Sequence, residues 1–210
     1  MPNIAIFITT VFLGFFAMLN PIGNTPIFLF MIGDADEKTI KRVAFRAVLV
    51  AFIIVALFSL FGHLIFRLFG ITLPAFQIAG GIIVFFIGYD LLQGKNSGIN
   101  YSKENVPAES YNSMAISPLG IPLLSGPGTI SAAMNFVGDT NFIFTLLVIF
   151  IFAIVCGLTF LLFILSKKIA NKLRPSLIMV VSRIMGLILT VIAVQMLING
   201  VFTLIKEFPR

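Results

Sequence analysis

Six stretches of this chain, each at least 20 residues long, carry no charged side chain: 2–33, 47–66, 68–89, 110–138, 140–166 and 184–205. A helix rises ~1.5 Å per residue, so roughly 20 apolar residues cross a hydrocarbon core ~30 Å thick. Apolar residues make up 59% of the chain and charged residues 10%, against about 45–50% and about 25% in soluble domains. A water-soluble fold could not cover that much hydrocarbon. The runs predict an all-α integral membrane protein with six transmembrane helices. The start, Met1-Pro2-Asn3, has no basic segment and no small-residue cleavage site follows, so 2–33 reads as a retained first helix.

The positions of the basic residues predict an orientation. With six spans, both termini, the 2–3 loop and the 4–5 loop share one side, which holds Arg67, Lys206 and Arg210. The other side holds Lys38, Lys41, Arg42, Arg46, Lys95, Lys103, Lys167, Lys168, Lys172, Arg174 and Arg183. Lys and Arg collect in short cytoplasmic loops, so both termini are expected outside the cytoplasm. The net charge of +6 then belongs to these loops. Without interleaved aromatic and basic residues, no nucleic-acid partner is expected. The turn-prone 95–113 stretch reads as a cytoplasmic linker between residues 1–94 and 114–210.

Those two parts resemble each other. At an offset of 105 residues Leu19 falls on Leu124, Gly23 on Gly128, Gly33 on Gly138, Asp34 on Asp139 and Gly81 on Gly186. Each part would hold three spans, an odd number, and so would insert in the opposite sense to the other. Two inverted three-helix repeats are a recurring plan of secondary transporters, with the substrate held near the midplane between them. The alternative is two unrelated helices that both contain Gly and Pro.

Within this plan spans 1 and 4 are expected to break. Span 1 contains Asn20-Pro21-Ile22-Gly23-Asn24-Thr25-Pro26; span 4 contains Ser117-Pro118-Leu119-Gly120-Ile121-Pro122 and then Ser125-Gly126-Pro127-Gly128-Thr129-Ile130-Ser131. Proline removes a backbone donor and clashes with the preceding turn, and glycine permits conformations that other residues resist. Broken backbone survives in a bilayer only where protein buries it or where it lines a polar cavity. A half-helix start presents free N–H groups and the positive end of a dipole, which suits a carboxylate. Freed carbonyls suit an ammonium group or a cation. The candidate substrate-binding set is therefore Asn20, Gly23, Asn24, Thr25, Ser125, Gly126, Gly128, Thr129 and Ser131. The plainer alternative is a pair of kinks that serve packing.

Other polar residues are less telling. Asp90 closes span 3 five residues before Lys95, where a solvated or paired carboxylate is ordinary and a proton carrier is the functional alternative. Gln195 and Asn199 lie four apart on one face of span 6. With Asp90 they form a candidate polar track, although hydrogen bonding between helices accounts for them equally well. Gly80, Gly81, Gly88 and Gly186 read as close-packing positions, His63 as interfacial and Arg183 as a snorkelling stem.

Four segments together, Asn20-Pro21-Ile22-Gly23-Asn24-Thr25-Pro26-Ile27-Phe28, Ile78-Ala79-Gly80-Gly81-Ile82-Ile83, Ser125-Gly126-Pro127-Gly128-Thr129-Ile130 and Ser182-Arg183-Ile184-Met185-Gly186, resemble the MarC family across essentially the whole chain. That bacterial and archaeal group is also described as six-span small neutral amino acid transporters. The resemblance implies an inner-membrane protein with its termini outside. It also implies, for some members, uptake of glycine, alanine and similar amino acids driven by an ion gradient.

The expected function is secondary active transport of such amino acids, with the lipid bilayer and a small amino acid as partners. No cofactor is expected beyond a coupling ion, Na+ or H+. A passive channel is a second class, yet no ring of charged side chains marks one. A membrane protein without transport activity is a third. One His and one Cys (His63, Cys156) cannot build a metal or catalytic cluster, and no P-loop is present, so neither an enzyme nor direct ATP coupling is expected. The oligomeric state is left open.

Overall fold

The computed structural model describes residues 4–33, 35–93, 108–138, 141–170 and 175–207, and these are helical throughout apart from short connections. In chain order the helices are α1 (Ile4–Leu19), α2 (Pro21–Ile32), α3 (Glu37–Phe69), α4 (Leu73–Gln93), α5 (Ala108–Met114), α6 (Pro127–Val137), α7 (Phe142–Ala170) and α8 (Pro175–Glu207). An irregular bridge, Ala115–Leu124, joins α5 to α6.

Among the described residues, five helical stretches are long and apolar enough to cross a membrane: Ile4–Leu29, Glu37–Phe69, Leu73–Asp90, Phe142–Lys168 and Gly186–Lys206. The first of these comprises α1 and most of α2. The fourth uncharged run, 110–138, forms no helix of spanning length. Residues preceding proline are driven out of the α region, and Ser117 (φ −133°, ψ 126°) and Ile121 (φ −129°, ψ 125°) are extended before Pro118 and Pro122. Both of those peptide bonds are cis. The expected linker, 95–113, lies outside the described residues up to 107, and its end (108–113) belongs to α5.

Ring contacts establish the directions of the helices. Phe45 and Phe52 of α3 meet Phe160 and Phe152 of α7 at 6.2 and 6.3 Å, so α3 and α7 are antiparallel. Phe7, Phe15 and Phe28 meet Phe144, Phe152 and Phe163, so α1 and α2 run parallel to α7. Space at the glycines orders the rest. A Cβ on Gly88 of α4 would lie 2.6 Å from Thr190 Oγ1 and 2.9 Å from Gly186 O, and one on Gly200 of α8 would lie 2.7 Å from Ile78. Thus α4 and α8 are antiparallel, with small residues letting the backbones approach. Gly80 belongs to a different contact, facing Pro127 of α6.

Helix ends 105 residues apart match. Gly33 (φ 56°, ψ −133°) ends α2 and donates its N–H to Leu29 O; Gly138 (φ 44°, ψ −140°) ends α6 and donates to Met134 O. One buried cluster joins α1, α2, α3, the bridge, α6 and α7, including Phe15, Phe28, Val43, Ala47, Leu119, Ile130, Phe152 and Phe163. At one end of the bundle Lys167 donates to Ala35 O and Arg46 to Asn112 Oδ1. That same end holds Lys38, Lys41, Arg42 and Lys168.

Candidate functional site between two broken helices

The break after α1 is a substitution of two hydrogen bonds for one. Pro21 offers no N–H and disfavours helical backbone at the residue before it. Asn20 turns left-handed (φ 42°, ψ 61°), a conformation whose cost is low for Asn. An unbroken helix would join Gly23 N–H to Leu19 O. Instead Gly23 N donates to Asn20 Oδ1 (3.1 Å), and Asn24 Nδ2 donates to Leu19 O (2.7 Å). The two asparagine side chains replace the bond that the break removes, and Asn24 does so at 5% exposure. A Cβ on Gly23 would overlap the Asn20 amide and displace the side chain that accepts its N–H. Thr25 Oγ1 donates to Pro21 O at 2.7 Å.

The break before α6 is built differently. Ser125 N and Oγ both reach Gly120 O, at 3.0 and 2.8 Å, closing the bridge on itself. Gly126 precedes α6 without a side-chain cap, and a Cβ there would overlap Pro122 O. Pro127 begins the helix, and the amides of Gly128 and Thr129 make no hydrogen bond with a described residue. The Thr129 hydroxyl, 2% exposed, also has no hydrogen-bond partner among the described residues. The first amides of any helix lack a partner within it, but most buried polar groups are satisfied, so the free Thr129 hydroxyl beside them stands out. The start of α2 is closed by Asn20; that of α6 is open.

The two breaks are neighbours. A Cβ on Gly128 would be 3.5 Å from Met18 Sδ, close before Asn20 in the chain. Ile27 of α2 and Leu123 of the bridge share a buried cluster packed by Met31, Ile87 and Leu189. Gln77 of α4 donates Nε2 to Ser131 Oγ at 2.9 Å. Sequence reasoning passed over Gln77, although an amide inside an otherwise apolar span was the available signal. No charged side chain occurs in 4–32 or 110–137, so any ligand would meet dipoles and neutral groups alone.

The polar track is not assembled. Gly81 and Gly88 mark the α4 face toward α8, and Asp90 lies nine residues from Gly81, half a turn away in phase at ~100° per residue. Gln195 is likewise opposite Gly186 and Leu197 on α8. Asp90 and Gln195 therefore leave the α4–α8 pair on opposite sides, while Gln195 and Asn199 bond to each other at 2.9 Å.

Comparison with known proteins agrees with this membrane architecture. The family model described as MarC family integral membrane protein matches residues 5–205. The UPF0056 membrane protein YvbG of Bacillus subtilis is 39% identical over 207 residues, covering 96% of this chain and 98% of its own. UPF0056 membrane proteins of Methanocaldococcus jannaschii and Pyrococcus horikoshii are 37% and 39% identical, each over 90% of this chain and over 93% and 90% of their own. No solved structure matches.

Proposed function

The chain belongs to the MarC family of multi-pass integral membrane proteins, and on that footing we propose that it is a secondary active transporter of small neutral amino acids of the glycine and alanine class. The observation that carries this proposal is the meeting of two broken helices, one with an open start at Gly128 and Thr129. Free amides at a helix start, with the Thr129 hydroxyl beside them, suit a carboxylate. Asn24 Oδ1, which accepts no hydrogen bond from a described residue, offers an acceptor to an ammonium group. Met18 against Gly128 restricts the space left for a side chain. With every nearby group neutral, a net-neutral zwitterion balances the site better than a charged amino acid does. Na+ or H+ supplies the gradient, and the cargo is moved without being chemically changed.

Six spans in two inverted repeats complete the proposal, with α5, the bridge and α6 together making the fourth crossing. Matching caps at Gly33 and Gly138 support it, as do the antiparallel pairs α3–α7 and α4–α8 that inversion requires. The protein then lies in the inner membrane, its basic end in the cytoplasm and both termini outside. Purified protein in liposomes should accumulate labelled alanine and glycine under a Na+ or H+ gradient, with saturation and counterflow. Uptake equal to that of empty vesicles under both gradients would reject transport of this class, and unsaturable flux would indicate a pore.

A further inference from the structure

The amide pair on α8 is unused by the break site and lies at a costly depth. Gln195 is nine residues from Gly186 and eleven from Lys206, the ends of its apolar stretch, which is about 14 and about 16 Å along the helix. Gln195 and Asn199 are both exposed, on the face opposite α4. Their mutual bond uses one N–H of Gln195 and one lone pair of Asn199. Gln195 Oε1, its second N–H and the Asn199 amide N–H groups have no partner among the described residues. Lipid offers none, and unsatisfied polar groups in hydrocarbon are penalised. Around the pair the face is apolar, with Ile188, Val191 and Phe202 exposed.

The missing partner must therefore be mostly apolar and present both a donor and an acceptor at the depth of Gln195. A second copy inserted in the same direction meets both conditions. A two-fold axis along the membrane normal sets each residue against itself at equal depth, and a carboxamide, being donor and acceptor together, complements itself. We propose that the protein forms a homodimer through parallel α8 helices, with the Gln195 and Asn199 amides hydrogen-bonding across the axis. The start of α6 packs on α4 at Gly80, whereas the proposed contact uses the face of α8 turned away from α4, so each protomer keeps its own break site.

Disulfide trapping of the full-length protein in native membranes tests this, in a Cys156→Ala background. Ile188→Cys and Phe202→Cys should each oxidise to a covalent dimer, and Phe150→Cys on the exposed face of α7 should not. Equal cross-linking at all three positions would overturn the proposal. In liposomes at graded protein-to-lipid ratios, Gln195→Leu with Asn199→Leu should weaken self-association about tenfold while leaving the helical content unchanged. An unchanged dimer fraction in that well-folded variant, or rapid labelling of Gln195→Cys by a membrane-impermeant maleimide, would also overturn it.

Discussion

Asn20 and Asn24 take up the two backbone groups that Pro21 separates, and this changes what their replacement should do. Asn24→Leu leaves Leu19 O without its 2.7 Å donor at a site 5% exposed. An orphaned buried acceptor costs about 1–3 kcal/mol, so thermal unfolding in detergent should show a clear loss of stability. Thr129 is the cleaner probe. Its hydroxyl bonds to no described residue, so Thr129→Val keeps the shape and removes only the free polar group. The variant should match the parent in thermal stability, or exceed it, while ligand affinity falls about tenfold or more, the scale of one hydrogen bond to a charged group. Unaltered affinity by calorimetry would remove Thr129 from the site.

At the scale of helices, tolerance of a methyl group should separate close-packed from open glycines. Gly88→Ala forces a Cβ to within 2.6 Å of Thr190 Oγ1 and 2.7 Å of Thr190 N, so α4 and α8 must part. Overpacking of this kind costs about 1–3 kcal/mol, and equilibrium unfolding in mixed micelles should register it. A Cβ on Gly157 of α7 would meet no described atom within 4 Å. Gly157→Ala should be neutral or stabilising by up to about 1 kcal/mol, the helix-propensity difference. Equal effects at the two positions would mean that α4 and α8 are not packed through these glycines. The short helices follow the same logic. Both α2 and α6 begin with proline at a position where a missing N–H costs nothing, and both end on a glycine with positive φ.

For the molecule as a whole, the basic end is the most exposed element of the proposal. Lys38, Lys41, Arg42 and Arg46 at the start of α3 share one end with Lys167 at the close of α7, which reaches Ala35 O. His63, 22 positions after Lys41 on the same helix, is about 33 Å away along its axis, a full membrane thickness. In a Cys156→Ala background, an impermeant maleimide added to intact cells should label His63→Cys and leave Lys41→Cys unmodified until the membrane is opened. The reverse pattern would invert the proposed orientation.

Charge spacing and proline spacing by themselves determined the membrane class, the uncharged runs that become α3, α4, α7 and α8, and the two places where helix cannot continue. These are local consequences: hydrocarbon length requires about 20 apolar residues, and a missing N–H breaks a ladder wherever it falls. Tertiary structure decided what the breaks mean. It set the open start of α6 beside Met18 and tied Ser131 to Gln77, whereas the exchange at Asn20 and Asn24 is local, made within five residues of chain. It also turned Asp90 and Gln195 to opposite sides of one helix pair. Which donor finds which acceptor depends on how helices rotate about their axes as they pack, and contacts distant in sequence set that rotation.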